Sequence, residues 1–136
     1  MAYIAKDSTA SFDSRSTAMA GYISGLTAGS ALTSVAPCRI DDDGKVYMCV
    51  TTEAQRTFAS GSFVDFAGFT AKAYNSGDPV TLFRGNAIAS YSTAMTPGKY
   101  CYSGSVTGTL SDAPVLSGDK AVALIISATD IMVLDN

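Results

Sequence analysis

Acid–base hydrolysis in this chain would have to recruit Asp65, Asp78 or Asp112, because two carboxylates can divide the roles of proton donor and base. Each of the three lies beside glycine, proline or a strand end, where aspartate bonds its own backbone to shape a turn, and that is the role they are assigned. The many serines have no base to work with. The sequence contains no histidine, which removes the usual triad, and no serine is spaced to mark a pairing with lysine. The run Asp41-Asp42-Asp43-Gly44 suggests a calcium loop. However, consecutive strand side chains point to opposite faces, and Thr52 stands where a helix-loop-helix site needs glutamate. A solvated hairpin tip is therefore the expectation, with no catalytic residue, no metal, no cofactor and no enzymatic activity.

Cys38, Cys49 and Cys101 cannot all pair within one chain, and without histidine or close cysteine spacing they do not form a metal site. They are expected to be reduced, buried thiols that pack as small apolar side chains. If Asp43-Gly44 is a two-residue hairpin turn, pairing outward from Asp42 with Lys45 sets Cys38 directly opposite Cys49.

The chemistry-poor residues imply a scaffold. Charged residues make up 15% of the 136, well below the usual quarter or so. The surface must therefore be mostly small and neutral, which suits a protein packed against something else. The net charge is −3 with no basic block, so neither nucleic acid nor an anionic membrane is an expected partner. No apolar run approaches a membrane span, and the start, Met1 to Lys6, lacks the apolar centre of a signal peptide. The expectation is a protein made and kept in a cytoplasm until released by other means.

A repeated grammar of tight turn and short alternating strand must position these residues: Asp43-Gly44, Gly77-Asp78-Pro79, Thr96-Pro97-Gly98-Lys99 and Gly118-Asp119. It predicts strands over 38–40, 46–51, 63–70, 79–83, 87–91 and around Tyr100-Cys101-Tyr102, with 52–60, which holds Glu53, a helical turn or loop. A last hairpin follows. Val122, Leu124 and Ile126 share one of its faces and Ala121, Ala123 and Ile125 the other, so it is expected to be buried on both sides. Tyr100 and Tyr102 share a face and are expected in the core, the other reading being stacking on sugars or a protein interface. The fold expected is all-β, a small β-barrel or β-sandwich of short antiparallel strands with an extended N-terminal arm. Residues 1–32 would be that arm and a first strand near Met19 to Leu26, and residues 33–136 the barrel or sandwich domain. The arm is either a partly disordered leader or a segment that orders on a neighbouring subunit, with Tyr3, Ile4 and Phe12 its candidate partner-binding anchors.

The succession Asp43-Gly44-Lys45-Val46-Tyr47, Phe66-Ala67-Gly68-Phe69, Ser76-Gly77-Asp78-Pro79-Val80-Thr81, Met95 to Tyr102, Gly108 to Pro114 and Ala123 to Ile131 resembles a module of tailed-bacteriophage virion proteins. That module occurs in capsid decoration (cement) proteins and in head-fibre-type proteins. The resemblance covers about two-thirds of the chain. It implies a structural virion protein that sits on the outer surface of a capsid as a homotrimer and bridges neighbouring copies of the major capsid protein. The alternative it leaves open is a fibre or adhesin module that binds a host-surface glycan.

Overall fold

The computed structural model describes residues 3–13, 20–49, 66–114 and 120–134. The expectations for Asp65, Phe63, the 52–60 segment with Glu53, Met19 and the Gly118-Asp119 turn lie outside the described residues. Within them the chain is all-β and has no helix. Twelve strands form: β1 (Tyr3–Ile4), β2 (Ser11–Phe12), β3 (Tyr22–Thr27), β4 (Pro37–Ile40), β5 (Val46–Met48), β6 (Phe66–Thr70), β7 (Pro79–Phe83), β8 (Ile88–Ser90), β9 (Tyr100–Ser103), β10 (Leu110–Ser111), β11 (Ala123–Ile125) and β12 (Asp130–Val133).

The turns follow from local chemistry. Gly77 and Gly98 take φ values of +88° and +90°, the left-handed region that costs glycine nothing, and Asn86 (φ +76°) turns the chain after Arg84-Gly85. Asp78 fixes its turn from both sides: its N–H donates to Asn75 O (3.0 Å) and its Oδ2 accepts from Asn75 N (2.8 Å). Ser127 Oγ likewise accepts from the N–H groups of Thr129 and Asp130, closing the last hairpin.

The Asp43-Gly44 turn corrects one expectation. Gly44 N donates to Asp41 O (2.9 Å) and Asp41 N to Lys45 O (3.0 Å), with Gly44 at φ +78°. This is a three-residue loop ending in a left-handed glycine bulge, not a two-residue turn. The extra residue slips the register by one, so Cys38 faces Met48, and Cys49 is not its partner.

The strands build two antiparallel sheets, seven-stranded in the order β1-β10-β9-β11-β12-β8-β2 and five-stranded in the order β3-β7-β6-β4-β5. The five-stranded sheet curls until its edges meet. A parallel bridge joins Ala28, just past β3, to Val46 of β5, and Gly29 N donates to Val46 O (2.9 Å). Its inner surface holds Ala28, Leu32, Ala36, Cys38, Val46, Tyr74, Val80 and Leu82 in one cluster. Fully burying a side chain such as Leu82 is worth about 1.5–3 kcal/mol.

A second cluster lies where the wall of this small barrel meets the seven-stranded sheet. Phe69 and Val35 pack there with Tyr91, Cys101, Leu110, Ala123, Ile125, Ile131 and Val133. Val35 has φ +49°, a strained value for a β-branched residue, and the strain sits where consecutive side chains enter different cores, Val35 one and Ala36 the other. Thr70 holds this crossing. Its hydroxyl donates to Thr33 O (2.6 Å) and accepts from Ala36 N (2.9 Å), while its carbonyl accepts from Val35 N (3.2 Å).

The described part of the N-terminal stretch docks on its own chain. β1 pairs with β10 and β2 with β8, so the two are the edges of the seven-stranded sheet, and β3 joins the five-stranded sheet. Ile4 and Ala10 belong to the core between the sheets, and Phe12 stacks edge-on against Phe83 (4.9 Å between ring centroids).

Candidate functional site

Two surfaces of the seven-stranded sheet stand out from the largely polar exterior. The first is its outer face. Cross-strand register places Tyr100 opposite Leu124, Leu124 opposite Met132, and Met132 opposite Ile88, so four apolar side chains line up across β9, β11, β12 and β8. Tyr100 is 51% exposed and Ile126, one position past β11 on the same face, is 39% exposed; Leu124, Met132 and Ile88 are half-buried. Alternation puts Cys101, Ala123, Ile131 and Ala89 on the opposite side, buried in the core. Two expectations are corrected here. The last hairpin is fully buried on its inner face, while on the other face only Val122 is buried, Leu124 and Met132 being half-buried and Ile126 exposed, and Tyr100 and Tyr102 point outward, Tyr102 half-buried. The physical reason is that the sheet is covered on one side by the barrel wall, while its other face has no layer above the row among the described residues.

Charge near this row is sparse. Lys99 Nζ lies 3.6 Å from Asp112 Oδ2, so the charges beside Tyr100 are paired with one another. Asp130 is at the far end, opposite Ser90.

The second surface is an open cleft of about 470 Å³ between the N-terminal stretch and the loop after β8, lined by Tyr3 to Asp7, Ser92 to Thr96, Asp112 and Ile125. Four bonds anchor its lining residues. Asp7 N donates to Tyr91 O (2.7 Å), Ser92 Oγ to Ala5 O (2.5 Å), and Lys6 Nζ reaches across to Thr33 Oγ1 (2.8 Å) and Ser34 O (2.7 Å). Burial of the Lys6 ammonium lowers its pKa, an effect partly offset by Cys38. Behind the cleft the fully buried Tyr91 accepts from Leu110 N through its hydroxyl (3.1 Å), and burial raises its pKa.

The residues proposed from sequence are distributed as follows. Of Tyr3, Ile4 and Phe12, Tyr3 is the exposed one (47%), whereas Ile4 is in the core and Phe12 is half-buried against it. Asp78 shapes its turn, and Asp112 pairs with Lys99. Asp43 accepts from Tyr47 Oη (2.7 Å) and Lys45 N (2.9 Å), which holds its carboxyl below the usual range. Asp41 bonds Asp42 N through Oδ1 (2.8 Å) and approaches Arg39 through Oδ2 (3.4 Å). These carboxylate oxygens are thus engaged within the hairpin, and no group of three metal-ligating side chains occurs among the described residues. All three cysteines are free and buried, and burial pushes the thiols of Cys49 and Cys101 up to about 12.

Sequence reasoning missed the alignment of Ile88 and Met132 with Leu124 and Tyr100, and it missed the 92–96 loop. Alternation in β8 and β12 signalled which residues share a side, but only cross-strand register joins them into one row. Compared with protein-family models, with curated proteins and with solved structures, the chain matches none.

Proposed function

We propose that this chain is a structural virion protein that attaches to the outer surface of a phage capsid and stabilises it by bridging neighbouring copies of the major capsid protein. The observation that carries the reading is the row Tyr100, Leu124, Met132 and Ile88: a line of uncharged, partly exposed side chains on the open side of a sheet whose other side is fully packed. Such a face gains free energy when covered, at about 25 cal/mol per Å² of apolar area removed from water. The low overall charge keeps the desolvation cost of that covering small. The resemblance of the turn-and-strand succession to tailed-phage virion modules supplies the identity of the partner.

Bridging works by number. Each copy contributes a modest interface, and many copies on one shell, grouped as homotrimers, add their effects against outward pressure. The place of action is the virion surface.

The test is co-sedimentation of the purified protein with expanded, decoration-free capsids, followed by the temperature at which the shell ruptures. Saturable binding with a raised rupture temperature is the expected result. A well-folded protein that leaves both shell sedimentation and rupture unchanged refutes the reading.

A further inference from the structure

We propose that the cleft between the N-terminal stretch and the 92–96 loop is a binding site for a neutral saccharide. Its volume of about 470 Å³ lies in the range of small-molecule sites and is enough for one or two sugar rings. Its lining combines the two things a sugar requires. The Tyr3 ring, 47% exposed at the rim, offers an apolar face for the C–H side of a pyranose. The hydroxyls of Thr93 and Thr96, and the second carboxylate oxygens of Asp7, whose Oδ1 accepts from Thr9, and of Asp112, whose Oδ2 faces Lys99, offer partners for its hydroxyl groups, and a hydrogen bond to a carboxylate is the stronger kind.

Donors are present as well. Among the described residues no hydrogen bond occupies the backbone N–H groups of Thr93, Ala94 or Thr96. Ala94 stands at φ +59°, a conformation that an alanine rarely adopts, and it does so in the cleft wall. Strain of this kind collects at ligand clamps, where the surrounding bonds enforce it: Met95 N donates to Ala128 O (2.9 Å) directly after it.

The charge pattern selects against other ligand classes. In the cleft lining Lys6 stands beside Asp7, and Asp112 is paired with Lys99, so no excess of positive charge is left to bind an anion. The ammonium of Lys6 is committed to Thr33 and Ser34, and that of Lys99 to Asp112. Phosphorylated and carboxylated ligands are therefore disfavoured, and a purely apolar ligand would leave the polar lining without partners. A neutral polyhydroxyl compound meets neither objection.

The site does not share the row on the outer sheet face, so it stands or falls apart from shell attachment. The test is amide chemical-shift titration of the isotopically labelled full chain with methyl glycosides of glucose, galactose, mannose and N-acetylglucosamine, each taken to about 50 mM. Expected are saturable shifts at Tyr3, Asp7, Thr93, Ala94, Thr96 and Asp112 with one of the four, at a Kd of about a millimolar. Tyr3→Ala weakens that binding about tenfold and Asp112→Asn weakens it measurably. Tyr22→Ala, which removes a still more exposed tyrosine from the other sheet, leaves it unchanged, and so does Leu124→Asp on the attachment row. Absence of saturable shifts with all four sugars overturns the proposal. So does equal loss in the Tyr3 and Tyr22 variants, or binding of inorganic phosphate at these amides in place of the sugars.

Discussion

Ile131 and Met132 are neighbours in β12 and live in different environments. Ile131 points inward and is fully buried with Ala89, Ile125 and Cys101, while Met132 points outward, half-buried between Leu124 and Ile88. The same division holds along β9, where Cys101 is buried and Tyr100 is 51% exposed. Both faces are apolar, yet among the described residues one has a layer to pack against and the other does not. Apolar composition alone therefore does not identify a core; a core needs an opposing surface, and an apolar face without one is available for a partner.

Single substitutions along β12 give the sharpest test of that contrast. Ile131→Ala leaves a cavity in a close-packed interior and is expected to cost about 2–5 kcal/mol, whereas Met132→Ala should cost less than about 1 kcal/mol. Urea unfolding of the two variants measures the difference, and equal losses would mean that the outer face is packed too. Phe12→Ala probes the edge of the inner layer. It removes a half-buried ring packed against Phe83, and a loss of about 1–2 kcal/mol is expected by the same measurement.

On the outer face the expected effect moves from folding to attachment. Leu124→Asp should lower shell affinity at least about tenfold, which is about 1.4 kcal/mol, while changing the urea midpoint little. Shell binding that survives a charge in the middle of the row would place attachment elsewhere on the molecule. The smallest effect belongs to the hairpin tip. Tyr47 Oη, and then Lys45 N, hold the Asp43 pKa below its ordinary value of 3.8. The stability this contributes is present above the unfolded-state value and is lost as pH falls through the lower folded-state value. The difference in urea midpoint between wild type and Asp43→Asn should accordingly shrink between about pH 7 and about pH 2. A constant difference would exclude a charge effect at the tip.

Legibility in the sequence varied with the distance over which the deciding interaction acts. β7 occupies the span expected from its alternation, and the expected last hairpin forms, closed by the Ser127 to Asp130 turn. The hairpin after β4 was foreseen, but its register was not, because one left-handed glycine adds a residue to the loop and moves Cys38 from Cys49 to Met48. β1, β2 and β10 have two residues each, too few for alternation to register, and their pairing partners are far away in the chain. The candidate surfaces follow the same rule. Tyr3 was singled out as an anchor, but the cleft beside it depends on the meeting of residues 3–7 with 92–96.

Local steric and hydrogen-bonding preferences thus determined, from the sequence by itself, that the chain is all-β and where glycine, asparagine and aspartate turn it. Those preferences act within about four residues, so no partner strand is needed to express them. Tertiary structure alone decided the closure of the five-stranded sheet through Ala28 and Val46, the docking of the N-terminal stretch, and the face of β11 and β12 left uncovered. These are contacts between segments many residues apart, and their free energy comes from burying two surfaces against each other, a quantity that neither segment carries alone.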